Sequence, residues 1–242
     1  MKFVVLTADD FGLSPAVNAA TERLHRAGFV SQASLMVHEP HAAEAVEIAR
    51  RNPRLGVGLH LTLCSSSPAR AGLRYFFDRR SHAALAATIR AQFERFRALG
   101  LPPTYWDGHT HLHLHPTVLR LTLPIAAEFG FRCTRLVREP GPPALLPWIF
   151  HRLSARAAPL LIARGIQFAD RVHGLRDTGR MTTAVFARLL ENLPDGATEI
   201  YFHPGAEPAE LDLAPLFEIA ARRKITIVGK AIPHGACTTA SS

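Results

Sequence analysis

Carboxylates and imidazoles recur just after short apolar runs of this chain, and they hold most of the chemistry it could perform. Asp9 and Asp10 follow the run KFVVL at 2–6, His60 follows LGVGL at 55–59, and DGHTHLHLH fills 107–115. Arg138, His173 and His203 each close a later apolar run. Neutral imidazole and carboxylate together suit Zn²⁺ or a similar divalent ion. Two adjacent carboxylates after a buried strand repel unless a cation or an arginine neutralises one of them. The competing reading of Asp9-Asp10 is a helix cap. A helix needs only one cap, and Ser14 already offers it. Neighbours on an extended chain point opposite ways, so the two acids are expected to differ in role.

The other residues carry less weight singly. His60 alone could be a structural histidine, and its place level with Asp10 makes the two readings about equal. His109, His111, His113 and His115 have period two, so an extended chain would put all four on one face. One or two of them read as metal ligands and the rest as substrate contacts or supports. Arg138 could pair with Glu139 at the surface or orient a carboxylate by its bidentate fork. His203-Pro204-Gly205 could be a tight turn, or could hold an imidazole as a general acid. His173 reads as structural, and Tyr75-Phe76-Phe77 reads as core rather than a lid.

The elements that must position these groups alternate along the chain. Strand-like runs at 2–6, 32–37, 55–59, 134–137, 170–172, 199–202 and 224–228 are separated by helix-like runs. The helices are expected at 14–27, 41–51, 81–99, 117–129, 181–192 and 209–222. Ser14 and Pro15 suit the N-cap and first turn of the first helix. Polar residues at the ends of many strands joined by helices predict an α/β fold. The specific expectation is a distorted TIM-like (β/α) barrel with mostly parallel strands and its site at their C-terminal ends. Residues 64–80 read as a loop, 139–147 as a Pro- and Gly-rich break, and 235–242 as a frayed tail. The chain is expected to form one domain over 1–242.

Composition sets bounds on partners and location. The formal net charge is +8, and 25 of the 28 basic residues are arginine, since only Lys2, Lys224 and Lys230 are lysines (28 − 3 = 25). The sequence pI of about 10.2 would suit a nucleic-acid binder. The arginines are scattered, however, without a basic run or a recognisable binding module, so nucleic acid is not expected as a partner. A basic surface could also favour an anionic membrane. The three cysteines form no CxxC pair, which fits a reducing compartment. The N-terminal residues lack the pattern of a signal peptide, and no apolar run is long enough to span a bilayer. A cytoplasmic location, with peripheral membrane contact open, is the expectation; a homodimer is left open as well.

Taken together, TADDFGLSPAVN at 7–18, GLHLTL at 58–63, DGHTHLHLHP at 107–116, VREP at 137–140 and YFHPG at 201–205 resemble the YdjC-like carbohydrate deacetylases. The likeness runs from about residue 2 to about residue 230. SPAVNAA, ASLMV, RYFFDRR and HLHPTV look most like the hopanoid-biosynthesis-associated branch, HpnK. The resemblance implies metal-dependent removal of an acetyl group from an N-acetylglucosamine unit. It implies Asp10, His60 and His109 as ligands of a divalent ion, Mg²⁺ or Zn²⁺. Asp9 would be the general base, His203 the general acid, and Arg138 the residue steadying Asp9. His111, His113 and Phe11 would lie near the substrate, an N-acetylated sugar or, in that branch, a glycosylated hopanoid lipid. The alternatives are a chitooligosaccharide deacetylase, another metal-dependent amidohydrolase, or a binding protein with a relict metal site. The amidohydrolase reading is weakened because its usual HxH lies on the first strand.

Overall fold

Apolar strands buried along their whole length are the signature of a parallel sheet covered on both faces, and here they form the centre of the molecule. The computed structural model describes residues 1–64, 67–206 and 210–229; the expected tail at 235–242 lies outside them. The strands are β1 (Lys2–Phe11), β2 (Gln32–Leu35), β3 (Gly56–Leu61), β4 (Trp106–Gly108), β5 (Arg171–His173), β6 (Gly196–Phe202) and β7 (Ile225–Ile227). All pair in parallel, in the order β4-β3-β2-β1-β6-β5, with β7 beside the first residues of β1. The sheet curls into a half-barrel. The irregular segment after residue 132 crosses its open side: Trp106 bridges Thr134, Cys133 bridges Gln167, and Val172 N–H donates to the Arg138 carbonyl at 3.3 Å. The expected α/β, distorted TIM-like barrel is thus observed.

Helices pack outside the sheet. They are α1 (Pro15–Arg26), α2 (Ala42–Arg51), α3 (Pro68–Phe77), α4 (Ser81–Ala98), α5 (Pro116–Glu128), α6 (Leu145–Ile162), α7 (Thr183–Glu191) and α8 (Ala214–Arg222). Ser14 caps α1 as expected, its Oγ accepting from Val17 N–H at 3.3 Å. Two helices correct the sequence reading. The expected loop at 64–80 contains α3, started by the Ser67 cap, which accepts from Arg70 N–H at 3.4 Å, and by Pro68. The 18-residue α6 rises directly from the Pro- and Gly-rich break. No described helix is long and apolar enough to cross a membrane.

Strand ends set the place of the polar residues. Asp10, next to last in β1, lies in the left-handed region (φ 61°), and the β1–β2 register shifts between Ala8 and Phe11. An aspartate tolerates this conformation better than most side chains. Strict alternation would send Asp9 and Asp10 to opposite faces. The bulge instead lets both carboxylates reach the barrel mouth, where each joins a cluster containing His60.

Candidate active site

Three donor atoms meet at the C-terminal ends of β1 and β3. His109 Nδ1 and His60 Nε2 lie 3.0 and 3.3 Å from the same carboxylate oxygen of Asp10. The ring of His60 is held from behind, its Nδ1 lying 2.6 Å from Asp107 Oδ1 on β4. A carboxylate behind the imidazole fixes its tautomer and aims Nε2 at the cluster, as the partners of metal-binding histidines do. Asp107 is therefore a supporting residue that sequence reading quoted without giving it a role. His60 is fully enclosed while His109 faces a cleft.

Beneath this cluster lies a buried charged centre. Arg135 grips Asp9 with both arms, Nη1 to Oδ2 at 2.7 Å and Nη2 to Oδ1 at 2.8 Å. It also reaches Asp107 Oδ2 at 2.8 Å and donates from Nε to Glu199 at 2.9 Å. Its side chain is wholly enclosed, with its guanidinium 4.4 Å from the Tyr201 ring centre. The Ser34 hydroxyl sits 3.1 Å from Asp9 and 2.9 Å from Asp107, while Tyr105 approaches it at 2.9 Å. Gly58 makes that possible: a Cβ there would meet the Tyr105 ring at 2.5 Å. Thr7 on β1 donates to Glu199 at 2.9 Å.

This centre has more acid than base, and its titration reflects that. Burial alone would raise the Asp10 pKa, but hydrogen bonds from His109 and His60, with their charge, hold it far below the carboxylate range. Burial would likewise raise Asp107, yet Arg135 and His60 keep it well below the usual value. Burial would lower His60, but the carboxylates of Asp107 and Asp9 and bonds to Asp10 and Asp107 push it up to about 10. Burial raises Glu199 despite its arginine partner. Three carboxylates, those of Asp9, Asp107 and Glu199, meet the one guanidinium, and Asp10 faces His60 and His109 instead, so Asp10 needs its positive charge from another source. A divalent cation among Asp10, His60 and His109 meets that need with oxygen and nitrogen donors of suitable type. Their ligand atoms all lie within 4.8 Å of one another. Asp9, His60 and Asp107 form a second such group, which is fully buried and already engaged by Arg135.

Several expected site residues stand elsewhere. The guanidinium on Asp9 belongs to Arg135, not Arg138; that of Arg138 lies 5.3 Å from the Phe168 ring centre. The His-rich run is not extended. It forms a 3-10 segment (His109–Leu114) in which Thr110 and His111 take positive φ, so its imidazoles diverge. His109 meets Asp10, while His111 Nε2 lies 2.8 Å from the Tyr201 hydroxyl. His113 Nε2 lies 3.0 Å from the Arg135 carbonyl, and His115 caps α5 by accepting from Thr117 N–H at 3.2 Å. Burial, and for His111 also the charge of Arg135, lowers the pKa of His111 well below the usual value and of His113 to about 4, so both rings are neutral braces. Phe11 is a core residue with 0% exposure. His203 follows β6 with its ring 6.2 Å from that of Tyr201, at the same end of the barrel as Asp9. His173 approaches Glu139 at 3.7 Å, and Glu139 accepts from Gly174 and Arg176 N–H.

The cleft beside His109 has a volume of about 780 Å³ and is walled by Leu13, Met36, Glu39, Arg70, Arg74 and Tyr75, among others. That size is in the range of small-molecule sites.

A profile of the YdjC-like protein family matches residues 3–226. The chain belongs to this family. Among its relatives, a carbohydrate deacetylase of Brevibacillus brevis is 33% identical over 219 residues, covering 84% of this chain and 81% of its own length. A mouse carbohydrate deacetylase is 33% identical over 241 residues, covering 84% and 77%. Among solved structures, an Enterococcus faecalis protein proposed to cleave cellobiose phosphate superposes with a TM-score of 0.67. It is 20% identical, covers 95% of this chain and 97% of its own, and supports the fold alone.

Proposed function

We propose that this YdjC-like protein is a metal-dependent carbohydrate deacetylase acting on an N-acetylglucosamine unit. The observation that carries the reading is the meeting of Asp10, His60 and His109 above the Asp9–Arg135 pair, at the edge of the cleft. The relatives named as carbohydrate deacetylases support it. A divalent ion, Mg²⁺ or Zn²⁺, held by Asp10, His60 and His109 supplies Lewis-acid polarisation and a more acidic water.

The chain's own residues do the rest. Asp9 accepts the proton of the attacking water. Arg135 engages each Asp9 oxygen once and the Ser34 hydroxyl approaches Oδ1 as well, so the second lone pair of Oδ2 is the one to offer. The bidentate grip fixes the direction in which Asp9 presents that lone pair. His203 gives a proton to the departing amine, which cannot leave as an anion. Asp107 keeps the His60 ring in register, and Tyr201, braced by His111, backs Arg135. Acetate and a free glucosamine unit result.

For the acceptor we favour a glycosylated hopanoid lipid, as in the HpnK-like branch, met by a protein in peripheral contact with the membrane. The motifs at 14–20, 33–37, 74–80 and 113–118 support that choice. Chitooligosaccharides are the second reading. Acetate release from metal-loaded protein decides between them. Release from an N-acetylglucosaminyl lipid alone supports the hopanoid reading, release from short chitooligosaccharides supports the second, and release from neither overturns the deacetylase.

A further inference from the structure

The two helices that pack on the His-rich segment carry large apolar side chains that the core does not use. On α3, Leu73, Phe76 and Phe77 project outward, Phe77 with 82% exposure. At the start of α6, Leu145, Leu146 and Trp148 do the same, Trp148 with 60% exposure. The two groups belong to one rim because both helices pack on the 3-10 segment that carries His109. Phe76 packs against His115, just past that segment, with ring centres 4.0 Å apart, and Phe150 of α6 meets His111 at 5.2 Å.

The rim is also basic. Residues 68–80 hold Arg70, Arg74, Arg79 and Arg80 against Asp78 alone, a net charge of +3 (4 − 1). At 100° per residue, Leu73, Phe76 and Phe77 form a stripe on α3. Arg70 and Arg74 run along one edge of it, and Ala71 and Tyr75 turn to the protein. No carboxylate pairs with Arg70 among the described residues, and Arg74 reaches only Asp78, at 3.7 Å. An aromatic and aliphatic stripe edged by arginine is the composition of helices that lie in a lipid interface. Tryptophan favours the same depth. A protein partner would more often meet such a stripe with carboxylates or a matching groove, whereas an anionic bilayer supplies both phosphate and hydrocarbon at once.

We propose that the outer face of α3 and the start of α6 form a docking surface for an anionic lipid bilayer, with the cleft opening against it. The proposal rests on the deacetylase reading only for making that cleft the active site. Vesicle binding is measured without substrate, so the two can fail separately.

The test is co-sedimentation of the full chain with vesicles of phosphatidylcholine alone or with phosphatidylglycerol added. The expected result is binding to the anionic vesicles that weakens as salt is raised. The double variant Phe77→Ser/Trp148→Ser should reduce it about tenfold or more, given the apolar area withdrawn. Both side chains are exposed, so the fold should persist, with the denaturant midpoint and circular dichroism of the double variant at the parent level. Absence of vesicle binding, or equal binding by the double variant, overturns the proposal. So does reversible self-association that the double variant abolishes without any vesicle binding, since a second copy of the chain would then cover the rim.

Discussion

The centre under the barrel mouth and the rim around the cleft are built on opposite principles. At the centre, Asp9, Asp107, Glu199 and Arg135 are charged, enclosed and bonded to one another from β1, β4, β6 and the segment closing the sheet. At the rim, Phe77 and Trp148 are apolar, exposed and carried by helices next to the site. Burying charge costs far more than it returns unless each group finds its partner, so the centre tolerates little change. Exposed apolar groups cost the fold little, so the rim is free to serve a partner. The centre should therefore govern stability and chemistry, and the rim only what the protein touches.

That contrast can be broken or sharpened by substitution. Arg135→Ala leaves three buried carboxylates without their cation and should destabilise the fold by about 3–5 kcal/mol, with activity lost; denaturant unfolding followed by acetate release checks it. Asp107→Asn removes the negative charge behind His60 and should weaken metal affinity about 10–100-fold while the chain stays folded; a competition titration with a chelating dye measures it. Ser34→Ala takes one hydroxyl from Asp9 and Asp107 and should cost about 1–2 kcal/mol in unfolding free energy. At the rim, Phe77→Ser should change unfolding by no more than about 0.5 kcal/mol. A rim substitution as costly as Arg135→Ala would erase the distinction.

The same contrast explains what could be read from the sequence. Asp9, Asp10 and His60 were legible because each follows an apolar strand, where polar groups have a reason only if they do something. The strand–helix alternation announced the parallel sheet. Arg135 is hidden in the sequence because it lies inside an apolar run, whereas Arg138 closes that run as the other polar site candidates do. Yet a charge followed at once by Leu136 and Val137 within an apolar run needs a buried partner, and that signal is present in the sequence. Period two across 109–115 suggested a strand, but positive φ at Thr110 and His111 broke it, and no composition rule foretells that turn. The start of α3 was marked by Ser67-Pro68, overlooked beside an aromatic run. The start of α6 was masked by the prolines before it and by Pro159 within it. Glu199, in an otherwise apolar β6, acquires its meaning only from Arg135 across the barrel.

The most direct test of the central claim is metal content measured together with acetate release, for the parent chain and Asp10→Asn after chelation and reloading with Zn²⁺ or Mg²⁺. The account predicts one tightly held ion per parent chain, activity that falls on chelation and returns on reloading, and neither in Asp10→Asn. Undiminished acetate release from fully chelated parent protein, or an ion held equally well by Asp10→Asn, would contradict it.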